Sequence, residues 1–249
     1  LLALSYCAIA CWLAAGIILW KKRAFALTIE LAGCLLWFAS IANLGFKAGY
    51  WPLSTPEEFL LVTIGFATLI HALMEIGGEG KERGWLLPFI AAVLAFFSKG
   101  TFTAEPLPLP PAFRIFWFQL HTLTASIAYG AFLVAGTMAL AIMLKPAEGS
   151  PKLATTMALG YTALTLSMLL GSIWGELSWG SYWGWSLKEI WTLTLWLIGT
   201  LYFHTRALPR WRERWNLALP LLMASITLFS LLGTGWLARR LTLETLYIF

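Results

Sequence analysis

Apolar residues run through this chain in long blocks separated by short polar interruptions. A helix needs about 20 apolar residues to cross a bilayer. Eight blocks approach that length, at approximately residues 3–20, 25–45, 57–75, 85–98, 115–143, 155–177, 189–205 and 216–236, the fourth short and the fifth long. The pattern predicts an all-α protein, a polytopic membrane helix bundle of about eight transmembrane helices, with residues 1–249 forming a single integral-membrane domain.

The interruptions fall into two alternating sets, and charge tells them apart. Lys21, Lys22, Arg23, Lys81, Arg83, Lys145, Lys152, Arg206, Arg210, Arg212 and Arg214 belong to one set, eleven of the 17 lysines and arginines. Lys47, Lys99, Arg114, Lys188, Arg239 and Arg240 belong to the other. The positive-inside rule makes the first set cytoplasmic, which places both termini and the interruption before the seventh block outside. Leu1 is not a methionine, so the sequence is compatible with a trimmed start or a removed signal peptide.

Composition removes the soluble alternative: the chain is 59% hydrophobic and 12% charged, against roughly a quarter charged in an ordinary soluble domain. The net charge of +5 sits in short interruptions and reads as topology, so no nucleic-acid partner is expected. Cys7, Cys11 and Cys34 lie inside apolar blocks without the spacing of a disulfide framework, a zinc site or a dithiol motif, and read as buried apolar filler.

Ionisable residues inside spans are functional hypotheses by default. Glu30, early in the second block, reads as a carboxylate snorkelling to the interface near Arg23. His71 and Glu75 are four apart and share a helix face. The run Gly77–Gly84 reads as a flexible connector. Pro56 followed by Glu57 and Glu58 reads as a helix start. Pro106, Pro108, Pro110 and Pro111 predict an extended segment before the fifth block, either a rim over the aromatic stretch described next or a plain linker. His121 lies seven residues past Arg114, about 10 Å along a helix. His204 closes the seventh block near its cytoplasmic end, and the segment 206–215 that follows reads as a basic loop.

Residues 174–189 carry Trp174, Trp179, Trp183, Trp185 and Tyr182 among Gly175, Gly180 and Gly184, and read as an external Trp-rich loop. Glycine at this density destabilises a helix interior, and each indole offers a flat apolar face and one N–H. Such a surface suits a flat aromatic ligand or forms an aromatic belt at the membrane interface.

The run Trp179-Gly180-Ser181-Tyr182-Trp183-Gly184-Trp185, followed by Lys188-Glu189 and later by His204-Thr205-Arg206, resembles the WWD signature of the haem-handling membrane proteins of cytochrome c biogenesis, the family of CcsA (ResC), CcmC and CcmF. Within that family it is most similar to CcsA. The resemblance is close over Trp179–Glu189 and loose over most of the chain, including Tyr50–Phe59.

The resemblance implies haem b as ligand or substrate, presented on Trp174, Trp179, Trp183 and Trp185 for attachment to apocytochrome c, as part of a cytochrome c synthase. It implies His121 as an external axial ligand of haem iron and His204 as a transmembrane one. A CcsB-like membrane partner usually supplies the second transmembrane ligand; His71 facing His204 is the alternative within this chain. The expected location is the cytoplasmic membrane of a bacterium or a thylakoid-type membrane. The chain has no CxxCH motif for covalent haem of its own, and no catalytic side chain is expected of it.

Three positions depart from the family pattern. Ser186 stands where the signature has an acid, Leu187 where a proline often follows, and Leu231–Arg240 lacks the second external histidine. That leaves the external site five-coordinate, completed by another chain, or without haem. Two other functions therefore stand beside the synthase reading: a non-catalytic haem transporter, chaperone or regulator, and a structural membrane subunit whose Trp-rich loop docks a partner.

Overall fold

The structure is a computed structural model that describes residues 2–18, 23–76, 86–102, 108–144 and 151–233. Among these the chain forms eight α-helices and no strand: α1 (Leu2–Ile18), α2 (Arg23–Ala48), α3 (Pro56–Glu75), α4 (Leu86–Ser98), α5 (Phe116–Leu144), α6 (Pro151–Trp179), α7 (Leu187–Ala207) and α8 (Pro209–Leu232). Five of them, α2, α3, α5, α6 and α8, are long and apolar enough to cross a membrane, and the chain is an integral membrane protein. α1 and α4 are apolar but shorter.

Packing divides the helices around α5. α5 lies against α3, α6 and α8, and α7 lies against α8 and α6. α1 packs on α2 and α4, and α3 joins that group to α5. Two apolar cores result. One is built around Phe132, Met138, Leu164, Leu195 and Tyr202, and the other around Trp12, Trp37, Leu61 and Ile64. In the second core the Trp37 indole donates to the Leu61 carbonyl at 2.9 Å, satisfying its one polar atom inside an apolar setting.

Local sequence explains the helix ends that frame the site. Thr55 caps α3 by accepting from the Glu58 amide, and the Glu58 side chain returns a bond to the cap, with Pro56 in the first turn. Glu58 also accepts from the Tyr50 hydroxyl at 3.2 Å, tying the segment after α2 to the start of α3.

Of the cysteines read as buried filler only Cys34 is buried, Cys7 being exposed and Cys11 half-buried, and four further points of the sequence reading need correction. The segment before α5 is not simply extended: Lys99–Phe102 and Pro111–Arg114 form short 3-10 turns, while residues 103–107 lie outside the described residues. The basic stretch 206–215 is not a loop, because Pro209 starts α8 directly after α7. Glu30 does not snorkel: its side chain is 0% exposed, and an oxygen sits 2.7 Å from His71 Nδ1 across the α2–α3 contact. The Trp-rich stretch is a loop only from Gly180 to Ser186, since Trp174–Trp179 is the last part of α6. Gly175 does not break that helix, and the loop folds back closely over it: a Cβ there would lie 2.8 Å from the Ser181 carbonyl. The connector read at Gly77–Gly84 falls outside the described residues.

Candidate functional site

Where α6 hands over to α7, a cavity of about 440 Å³ opens between the first turns of α3, α5 and α7 and the last turns of α6 and α8. Its size is in the range of small-molecule and cofactor sites, roughly 300–1,000 Å³. α5 contributes His121, Thr122 and Tyr129, α6 contributes Ser167 and Trp174, and α7 contributes Lys188 and Thr192. The wall is completed by the capped start of α3 and by Ser230–Leu232 of α8.

His121 is the best defined group in it. Its Nδ1 lies 2.9 Å from the Ser167 carbonyl, which can only accept, so Nδ1 carries the proton and Nε2 keeps its lone pair. The Ser167 hydroxyl lies 3.1 Å from the same Nδ1 and donates to the His121 carbonyl at 3.1 Å. The imidazole stacks on Trp174, ring centres 6.0 Å apart and planes within 12°. Trp174 is itself fixed by donating to the Ala112 carbonyl at 2.8 Å and by tilted ring contacts to Phe113 and Phe118. The proline-rich segment thus reaches the aromatic stretch and covers part of it.

The other tryptophans of the stretch stand differently. Trp179 meets Trp174 edge-on at 6.0 Å and is 58% exposed. Trp183 and Trp185 contact each other at 5.9 Å and do not line the cavity. Trp185 has φ +58, a left-handed backbone that non-glycine residues rarely adopt. The loop is closed by Glu189, whose carboxylate accepts from the Gly184 amide at 3.0 Å and the Ser186 amide at 2.6 Å, while Ser186 caps α7.

The three histidines do not converge. His71 lies fully buried with Glu30 on the α2–α3 side. His204 is exposed on α7, its Nδ1 donating to the Thr200 carbonyl at 2.8 Å beside a shallow depression with Tyr161 and Phe203. His71 faces α2 rather than His204, so the internal pairing of the two that the sequence allowed is not formed.

Sequence reasoning missed Ser167, Gly171 and Lys188. Nothing local marks a serine or a glycine on α6 as the wall behind a histidine on α5. Lys188 did leave a signal: a cation in the first turn of a helix stands at the wrong end of the macrodipole. Among the described lining residues it is the one cation, facing the same cavity as His121.

The described residues include no cluster of three or more His, Cys, Asp or Glu side chains able to hold a bare metal ion. A lone imidazole in a largely apolar cavity instead fits an iron that brings its own equatorial ligands.

A sequence model of the cytochrome c assembly protein family matches residues 50–242. The chain belongs to that family. It is similar to the cytochrome c biogenesis protein CcsA of Synechococcus sp. (strain CC9605), 26% identical over 241 residues covering 74% of this chain and 77% of that protein. It is also similar to the CcsA of Trieres chinensis, 23% identical over 254 residues covering 82% and 81%. The CcsA of Chlamydomonas reinhardtii is 28% identical over 185 residues, covering 66% of this chain and 52% of that protein.

Ser186, which follows the last tryptophan of the stretch, is the N-cap of α7. Serine and aspartate are about equally good N-caps, and Ser186 accepts from the Glu189 amide at 3.3 Å. Ser186→Ala is expected to lower the stability of α7 by about 1 kcal/mol, and Ser186→Asp to leave it unchanged. Thermal unfolding in detergent, followed by circular dichroism, checks both; an unaffected alanine variant would show that Glu189 alone holds the loop.

Proposed function

We propose that this chain acts in cytochrome c biogenesis as a CcsA-like haem-binding membrane component, with haem b in the cavity between α3, α5, α6, α7 and α8. The observation that carries the reading is the state of His121: Nδ1–H engaged by the Ser167 carbonyl, which leaves Nε2 the lone pair, the ring stacked on Trp174, and the residue lining the cavity. That is how a metal-binding histidine is prepared, with its second nitrogen oriented by a carbonyl.

This chain's residues would bind, orient and shield. His121 would hold the iron through Nε2, Trp174 would give a flat wall, and Lys188 would supply a positive charge toward the carboxylates of an amphiphilic porphyrin. Trp179, Trp183 and Trp185 form the rim toward apocytochrome c. Bound haem supplies the iron and the vinyl groups that join to cysteine thiols, so the protein's part is positioning and exclusion of water.

The basic bias of alternate segments supports about eight membrane spans with both termini and the loop 180–186 on the outer side. α7 is included because its 21 residues are long enough, although Lys188 and Glu189 at its start reduce its apolar character. His204, exposed on α7, is left for a ligand site completed by a CcsB-like partner. His71 belongs to the buried pair with Glu30 instead.

Titration of the purified protein with ferric haem and with its dimethyl ester tests the site. Wild type is expected to show a b-type reduced spectrum and tighter binding of the free acid. Lys188→Gln should weaken the free acid by about tenfold, the loss of one charge-assisted contact, and leave the ester unchanged. A well-folded preparation that takes up no haem would favour the structural-subunit reading. Labelling of a cysteine placed at Tyr182 by a membrane-impermeant reagent, applied to each side in turn, checks the sidedness.

A further inference from the structure

His121 sits against α6 closely enough that α6 decides how the ring is held. Ser167 and Gly171 are four residues apart on that helix and therefore on one face. In a regular helix the carbonyl of residue 167 already accepts the amide of residue 171. Its second lone pair is the one that takes His121 Nδ1–H, at 2.9 Å. A side chain four residues on would stand over that lone pair. Position 171 has none, and a Cβ built there would lie 2.7 Å from His121 Nδ1 and 2.8 Å from Cε1.

We propose that Gly171 and the Ser167 carbonyl are paired positioning residues for His121: the missing side chain at 171 uncovers the carbonyl, and the carbonyl fixes the tautomer and raises the donor strength of Nε2. The inference rests on the reading that His121 binds haem iron, and adds to it the device that sets how strongly it does so. A histidine that donates its other N–H to a carbonyl is a more basic ligand, and loss of such an outer contact typically costs 10–100-fold in metal affinity. A stronger donor also favours the ferric over the ferrous state, so the same device holds the potential of bound iron low.

The test compares wild type, Gly171→Ala and Ser167→Ala by haem titration, spectrum and redox midpoint. In Gly171→Ala the methyl displaces the ring and breaks the carbonyl contact. Affinity for ferric haem is expected to fall at least tenfold, and the midpoint to rise. Ser167→Ala removes the hydroxyl but keeps the carbonyl, so its shifts should be smaller and in the same direction. Unchanged affinity and midpoint in Gly171→Ala overturn the proposal.

Folding is controlled by a second pair. In a His121→Ala background the space beside position 171 is vacated, so adding Gly171→Ala should leave the thermal midpoint unchanged or raise it. A fall there would locate the clash elsewhere and also overturn the proposal. Haem-free wild type, or haem held unchanged by His121→Ala, would instead defeat the underlying reading of the site.

Discussion

His121→Ala, purified beside the wild type, is expected to lose the reduced b-type bands altogether. Around the cavity the remaining described side chains offer hydroxyls, an ammonium, the Glu57 carboxylate and aromatic and aliphatic faces, and His121 is the one imidazole among them. Removing the first-coordination donor should cost more than the 10–100-fold of an outer contact, enough to empty the site at micromolar protein. His204→Ala is expected to leave this signal in place, because His204 is exposed on α7 beside Tyr161 and Phe203, away from the cavity. Bands that survive His121→Ala and vanish with His204→Ala would move the haem to the α6–α7 face and favour a transporter or regulator over a synthase component.

The second large effect concerns stability. Glu30→Ala leaves a fully buried imidazole without its 2.7 Å partner. Removing one member of a buried pair typically costs 3–5 kcal/mol, which at this chain length corresponds to roughly 6–20 °C in the thermal midpoint. Glu30→Leu combined with His71→Leu should recover most of that loss, since well-packed apolar replacements of a buried pair are often neutral or stabilising. Thermal unfolding of the singles and the double in one detergent gives the cycle. A double variant as unstable as the sum of the singles would mean that each side chain is held by other contacts. Haem binding at His121 should be retained in folded Glu30→Gln, because the pair lies on the α2–α3 side of the bundle.

These two effects mark what a sequence can and cannot carry in this fold. Helix positions were legible because each is a block of apolar residues long enough to see without neighbours, and the expected and observed ends of α3, α4 and α5 differ by a residue. The place of Trp174 near the end of α6 and of His121 near the start of α5 was legible in the same way. Their meeting was not. Which face of α5 turns to α6 is decided by packing between residues 46 positions apart, and Ser167 and Gly171 carry no local mark of it. Glu30 failed for the same reason: its partner is 41 residues away on α3, so the nearest cation in sequence, Arg23, was the wrong one to choose. The extent of the loop was misjudged because glycine was weighed by intrinsic propensity, while Gly175 stays within α6 and leaves room for the loop segment that crosses it.

The backbone at Trp185 has one more implication, for how this protein responds to selection. A left-handed conformation disfavours any residue with a Cβ by about 1–2 kcal/mol, and Trp185 adopts it at φ +58 with its indole 68% exposed. A screen that rewards heat resistance alone should therefore return glycine or asparagine at 185 among its first hits. Those variants would be sturdier proteins with one indole fewer on the exposed loop, and under the proposed function any fall in haem attachment, measured alongside, would give the contribution of that indole.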